Sequence, residues 1–143
     1  MSTRQQLGEQ IAVVMQEVIA SAVLTNERIA RSIGLNVVDF QTYGVLVRQG
    51  EPMTPGQVAQ ETELPSSTTT RVLDRLEAKG LIERRPDPGD RRKTWVHAVP
   101  FDDEHVTAAY GSILRQMDEV HAGFTVAELQ TVLRYLGAIK NVR

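Results

Sequence analysis

The run Ser66-Ser67-Thr68-Thr69-Thr70-Arg71 sets short hydroxyl side chains beside a guanidinium, and Val72, Leu73 and Leu76 follow it. Read as a helix at about 100° per residue, Thr69 falls with Val72, Leu73 and Leu76 on the inward face. Ser67, Thr70, Arg71, Asp74 and Arg75 then fall on or beside the outward face. Short donors and one long bidentate donor near a helix N-terminus suit the base edges of a DNA major groove. An amphipathic helix with a solvated polar face would carry the same stripe, so the flanking elements decide between the two readings.

The elements before this helix supply a scaffold. Asn36 is a good N-cap for a helix over 37–49, and Gly50 is its stop. Phe40, Tyr43, Leu46 and Val47 give that helix a broad apolar face. Thr54-Pro55-Gly56-Gln57 combines a cap, a proline at the first helical position and a capping box, opening a short helix to about Glu63. Its inward residues are Val58 and Ala59, with Leu64 also expected inside. Leu64-Pro65 forces a turn, and the helix over 66–79 follows, stopped by Gly80. Two short helices joined by a tight turn, the second offering polar residues from its first turn, make a helix-turn-helix.

After Gly80 the period changes. Leu81–Arg85 and Lys93–Val99 are strand candidates, and the turn-rich segment 86–92 between them carries charge, so the pair predicts a β-hairpin wing. Upstream, residues 5–32 read as one long helix with Leu7, Ile11, Val14, Val18 and Ala22 in register, continued by Ile29 and Ile33 and ended by Gly34. Downstream, Asp102 is the expected cap of a helix whose Val106, Tyr110, Ile113, Met117 and Val120 keep a 4-3-4-3 seam. Thr125 and Glu128 form a second capping box ahead of Val126, Leu129, Val132, Leu133, Leu136 and Ile139. The fold class expected is mainly α with a small β-hairpin: a winged helix-turn-helix over about 36–99, flanked by N- and C-terminal helices over about 5–32 and 102–141. The apolar faces of those flanking helices exceed what a small winged core can cover, so we expect them to bury against a second copy, giving a two-fold homodimer.

Composition bounds the chemistry. The 143 residues fit one domain, and the absence of cysteine excludes disulfides, thiolate nucleophiles and thiolate–zinc sites. The N-terminal apolar run, interrupted by Gln16 and Glu17, reads as too short and too polar to span a bilayer, and no signal peptide is evident, so a cytoplasmic protein with no membrane partner is expected. The net charge of −2 is unevenly spread. Residues 71–93 hold eight basic and five acidic side chains, a local +3 on a body carrying −5. Such a patch binds phosphate locally while the remainder discourages indiscriminate adhesion.

The segment from Ser67 to Arg84, with its Leu-Glu-x-Lys-Gly-Leu stretch at 76–81, followed by Asp87-Pro88-Gly89-Asp90-Arg91-Arg92, resembles the MarR family of bacterial transcriptional regulators. The resemblance is dense over about residues 35–96. It implies a homodimer of winged helix-turn-helix subunits, usually a repressor of a near-palindromic operator, released by a small, often aromatic or phenolic, effector. It also implies a wing pair in which Arg92 enters the minor groove and Asp90 holds its guanidinium, which a bidentate carboxylate and a narrow groove would favour. Two positions depart from the family pattern. Residues 97–104 replace a leucine-threonine and glycine before the next helix, and Thr69 stands where valine is common. A threonine there tolerates burial if its hydroxyl bonds back to a helix carbonyl.

On this reading Ser67, Thr70 and Arg71 address base edges, with Arg71 the reader of guanine. Ser66, Thr68, Arg75 and Thr54 address phosphates, as do Arg91 and Lys93 of the wing. Arg84 and Arg85 alternate across a strand, so one of them faces DNA and which one stays open. An effector would enter between the helix-turn-helix and the dimer helices, where Tyr43, Trp95 and His97 are either lining residues or ordinary packing. Two other classes compete: a metal-responsive regulator or metalloenzyme, for which His97, His105 and His121 with Asp102, Asp103 and Glu104 are the candidate ligands, and a winged-helix module for protein contacts alone. No ligand set has the usual metal spacing, so neither a metal nor a cofactor is expected. No phosphate loop, nucleophile elbow or acid–base pair points to an enzyme.

Overall fold

The structure, a computed structural model, describes residues 2–100 and 103–143, apart from the side chain of His105. Its elements are α1 (Thr3–Ser32), α2 (Val37–Gln49), α3 (Pro55–Thr62), α4 (Ser66–Ala78), β1 (Ile82–Pro86), β2 (Thr94–Ala98), α5 (Glu104–His121) and α6 (Val126–Ile139). They form two compact units, Met1–Phe101 and Asp102–Arg143. The mainly α architecture with a two-stranded antiparallel hairpin agrees with the expected fold class.

Capping chemistry sets the helix limits in the first unit. Asn36 Oδ1 accepts from Asp39 N at 2.8 Å to open α2, and Thr54 and Gln57 form both bonds of the expected capping box at α3. Both α1 and α4 end in the same way. Gly34 (φ 73°) donates to Arg31 O while Leu35 N reaches back to Ala30 O at 2.9 Å. At α4 Gly80 (φ 73°) donates to Glu77 O and Leu81 N reaches Leu76 O at 3.0 Å. These are Schellman closures, and in each the residue after glycine is a buried leucine lying over a buried residue of the last turn. Between α3 and α4 the chain turns through Glu63, a non-glycine residue at φ 58°, and Pro65 then starts α4 without any side-chain cap.

The core of this unit lies where α2, α3, α4 and the hairpin meet. Val58, Val72, Leu73, Leu76 and Val96 are fully buried, with Leu46 and Ile82 beside them. The inward stripe of α4 is Thr69, Val72, Leu73 and Leu76, as its periodicity predicts, and Thr69 satisfies its buried hydroxyl by donating to Pro65 O at 3.1 Å. The face of α2 differs from expectation. Val47 is exposed, and the buried positions are Asp39, Phe40, Thr42, Tyr43 and Leu46. Its inward strip is therefore displaced toward the N-terminal end of the helix, and it includes a carboxylate. The hairpin pairs Ile82 with Ala98 through Pro86 with Thr94, so the first strand is shifted by one residue from its expected limits and the second is one residue shorter at each end. A third piece of backbone joins it: Met53 N donates to Val96 O at 3.1 Å and Val96 N donates to Met53 O at 2.7 Å.

Helix α1 begins at Thr3, capped by Ser2, and only Ile29 and Ala30 of its last turn are buried. Apart from the half-buried Met15, its apolar residues from Leu7 to Leu24 lie open. At its full 30 residues, with a window of mean hydropathy 1.4, the helix is long and apolar enough by length and composition to cross a bilayer. The expectation of too short a run rested on residues 11–24, whereas the helix that carries them extends without a break over Thr3–Ser32.

In the second unit, the expected cap Asp102 lies outside the described residues. Asp103 Oδ1 accepts from Val106 N at 3.2 Å near the start of α5. Thr125 and Glu128 form the predicted capping box of α6, and Thr125 holds the Glu128 carboxyl below its usual pKa. Leu114, Met117, Val120, Val126, Val132, Leu133 and Leu136 all remain substantially exposed.

Candidate nucleic-acid interface

The first turns of α4 place the hydroxyl-rich run on the surface. Ser66, Ser67, Thr70 and Arg71 are exposed, Thr68 is half-buried, and Thr69 alone points inward. Because Pro65 supplies no side-chain bond, the leading amides of this 13-residue helix have no side-chain cap at the positive end of its dipole. Thr70 Oγ1 donates to Ser66 O at 3.0 Å, which fixes its rotamer and leaves the oxygen lone pairs facing outward as acceptors. Arg71 is exposed and, among the described residues, makes no hydrogen bond or ion pair. Thr54 is half-buried at the N-cap of α3, its oxygen accepting from Gln57 N at 3.2 Å.

Arg75 is differently employed. Its Nε and Nη2 both donate to the Asp39 carboxylate at 2.8 Å, and Asp39 is 1% exposed. The paired hydrogen bonds raise the guanidinium pKa above its ordinary value, and they occupy one edge of the fork expected to meet a phosphate. Asp39 was not singled out in the sequence. An aspartate in the first turn of a helix reads as a solvated dipole partner, and its cation lies 36 residues away.

The two strand arginines separate. Arg84 shares the inward strand face with Ile82 and reaches Asp74 at 2.8 Å and Glu77 at 3.1 Å, tying β1 to α4. Arg85 lies on the opposite, exposed face with Glu83 at 2.7 Å. At the wing tip Asp87 is the organiser. It accepts from Trp95 Nε1 at 2.8 Å and from Gly89 N at 2.9 Å, and those bonds, led by the indole, hold its carboxyl below the usual range. Lys93 Nζ stands 4.6 Å from the Trp95 ring centroid, a cation–π contact. Asp90 Oδ1 accepts from the Arg92 backbone N at 3.0 Å, while Arg92 Nε lies 3.6 Å from the same oxygen and the side chain is 95% exposed. Asp90 thus shapes the turn first and meets the guanidinium only as a loose ion pair. Arg91 is exposed beside it.

The three ring-bearing residues expected either to line an effector site or to pack differ in setting. Tyr43 is buried and its hydroxyl donates to Val99 O at 2.6 Å. Trp95 and His97 line an open cleft of about 790 Å³ beside α3, with Met53, Gln57, Glu51 and Glu61. Among the described residues no group of three or more His, Asp or Glu is placed to hold a metal ion.

Comparison with known proteins agrees with this geometry. The family model described as MarR family matches residues 33–93, which contain α2, the helix-turn-helix and the wing tip. The HTH-type transcriptional regulator YcgE of Bacillus subtilis is 23% identical over 141 residues, covering 99% of this chain and 91% of YcgE. The HTH-type transcriptional repressor NicR of Pseudomonas putida is 28% identical over 102 residues, 71% of this chain and 63% of NicR. The crystal structure of the transcriptional regulator Tm0710 from Thermotoga maritima shares the fold at a TM-score of 0.65 and 21% identity, covering 92% of each chain. Relatives and fold are those of transcription regulators, not enzymes. With the helix-turn-helix, the wing and the matched segment coinciding, these likenesses support a MarR family regulator.

Proposed function

We propose that this protein is a cytoplasmic homodimeric repressor that binds a near-palindromic operator and is released by a small aromatic or phenolic effector. The observation carrying the DNA-contact part is the outward face of α4. A helix start without a side-chain cap, exposed hydroxyls and an Arg71 that has no partner among the described residues stand on a fully buried apolar stripe, flanked by a wing that presents Arg91, Arg92 and Lys93. Ser67, Thr70 and Arg71 address base edges. Ser66, Thr68 and Thr54 address phosphates through hydroxyls and amides, and Arg91 and Lys93 address them through charge. Arg92, with Asp90 behind it, enters the minor groove. The uncovered apolar residues of α1, α5 and α6 support a dimer, since surfaces of that kind are commonly buried between copies. Half-sites about one helical turn apart follow from two-fold symmetry. Repression and effector release are carried over from the family pattern, and the repressor name of NicR supports the first.

Selection of bound sequences from random duplex DNA, repeated across candidate aromatic ligands, tests the proposal. A palindromic consensus lost on addition of one ligand is expected. Absence of salt-dependent affinity for any duplex would overturn it. The effector has a direct optical assay, because the chain contains a single tryptophan and Trp95 lines the cleft beside α3.

A further inference from the structure

Helix α4 is held from two sides by ion pairs that run to different elements. On one side the Asp39 carboxylate of α2, 2% exposed in its side chain, takes both Nε and Nη2 of Arg75 at 2.8 Å. On the other, Arg84 of β1 bonds Asp74 and Glu77. We propose that Asp39 is a positioning residue for sequence reading: through Arg75 it sets the roll of α4, and so where Ser67 and Arg71 meet the base edges.

Ser67, Arg71 and Arg75 recur at four-residue steps and form one line along the helix, so a rotation at Arg75 is carried directly to the two readers. A bidentate fork fixes angle as well as distance, which a single hydrogen bond does not. The buried carboxylate cannot follow the guanidinium outward without being left unpaired in the interior, so the pair stays closed when DNA arrives. Arg75, whose charge is already compensated, then adds little to counterion release. This departs from the phosphate role expected for it, and it rests on the DNA-binding reading above.

The test is the salt dependence and sequence preference of duplex binding by the full chain. Asp39→Asn keeps the size and one acceptor but frees a cation. Its binding to random duplex is expected to steepen by about 0.9 in log–log salt slope per protomer. Its preference for operator over random duplex is expected to fall about tenfold, as when one bidentate base contact is displaced. Arg75→Gln is expected to lose similar preference with the slope on random duplex unchanged. A slope lowered by about 0.9 with preference intact is the signature of a phosphate contact and would overturn the proposal. So would folded variants, checked by circular dichroism, that behave as wild type.

A measurement on the wild-type protein needs no variant to fold. In ¹⁵N-labelled protein the Arg75 Nε–H resonance is expected to stay protected from solvent exchange when operator is added. Its release from Asp39 on binding would refute the clamp. If the wild type bound no duplex, the DNA reading itself would fail, an outcome distinct from wild-type binding with unaltered variants, which removes only the role of Asp39.

Discussion

Replacing Arg71 with alanine separates reading from holding. The side chain is exposed and, among the described residues, has no partner, so its removal leaves no buried group unsatisfied and opens no cavity. Alanine is also a slightly better helix former, so folding stability is expected to change by less than about 0.5 kcal/mol. Binding responds differently. If Arg71 forks onto a guanine edge, its loss relaxes discrimination at one base pair of each half-site by about 1–3 kcal/mol, while other positions keep theirs. Arg91→Ala provides the contrast. A wing cation on a phosphate is expected to weaken all sequences alike and to flatten the log–log salt slope by about 0.9 per protomer. Fluorescence anisotropy on the selected operator, on a panel of singly substituted duplexes and on random duplex, each at several salt concentrations, reads both effects. Equal losses from the two substitutions on operator and random duplex would refute the division of labour.

Leu73→Ala removes a fully buried side chain from the underside of α4 and is expected to cost about 2–5 kcal/mol in urea unfolding; a change under about 1 kcal/mol would contradict the packing described. Thr69→Val, by contrast, is expected to shift stability by less than about 1 kcal/mol, because Pro65 O keeps its bond from Thr69 N at 2.9 Å and the lost hydroxyl is replaced by a methyl. The Asp87 carboxyl, depressed below 3.8, contributes wing stability that is present above that value and is lost as pH falls through the lower folded pKa. Acid titration of Trp95 fluorescence should show that step in wild type and lack it in Asp87→Asn. Val18→Glu, placed on the exposed apolar side of α1, should shift sedimentation toward monomer at micromolar concentration if this face pairs two copies, and a wild-type monomer would refute the dimer.

Most element limits were legible because local chemistry writes them. Asn36, the Thr54–Gln57 and Thr125–Glu128 boxes, and the glycines at 34, 50 and 80 each act within four residues, and the structure uses all of them. The sorting of Thr69 from Thr70 was equally readable, since a helix period places one inward and the next outward. What was missed depends on distance. Asp39 is buried because its cation arrives from α4, and no local pattern in α2 announces it. Met53 pairs with Val96 across 43 residues through a single bridge, too short a run to show alternation. Asp87 read as a turn residue, but its indole partner comes from the returning strand. Glu63 adopts a left-handed conformation with no glycine to signal it.

The Met53 bridge has a mechanical meaning. Because the linker ahead of α3 is stitched to the returning strand of the hairpin, the wing is no independent flap. Bending it pulls on the lead-in to the helix-turn-helix. A molecule wedged beside Trp95 would therefore reposition the whole reading head as one rigid lever, instead of peeling a single arm from its groove.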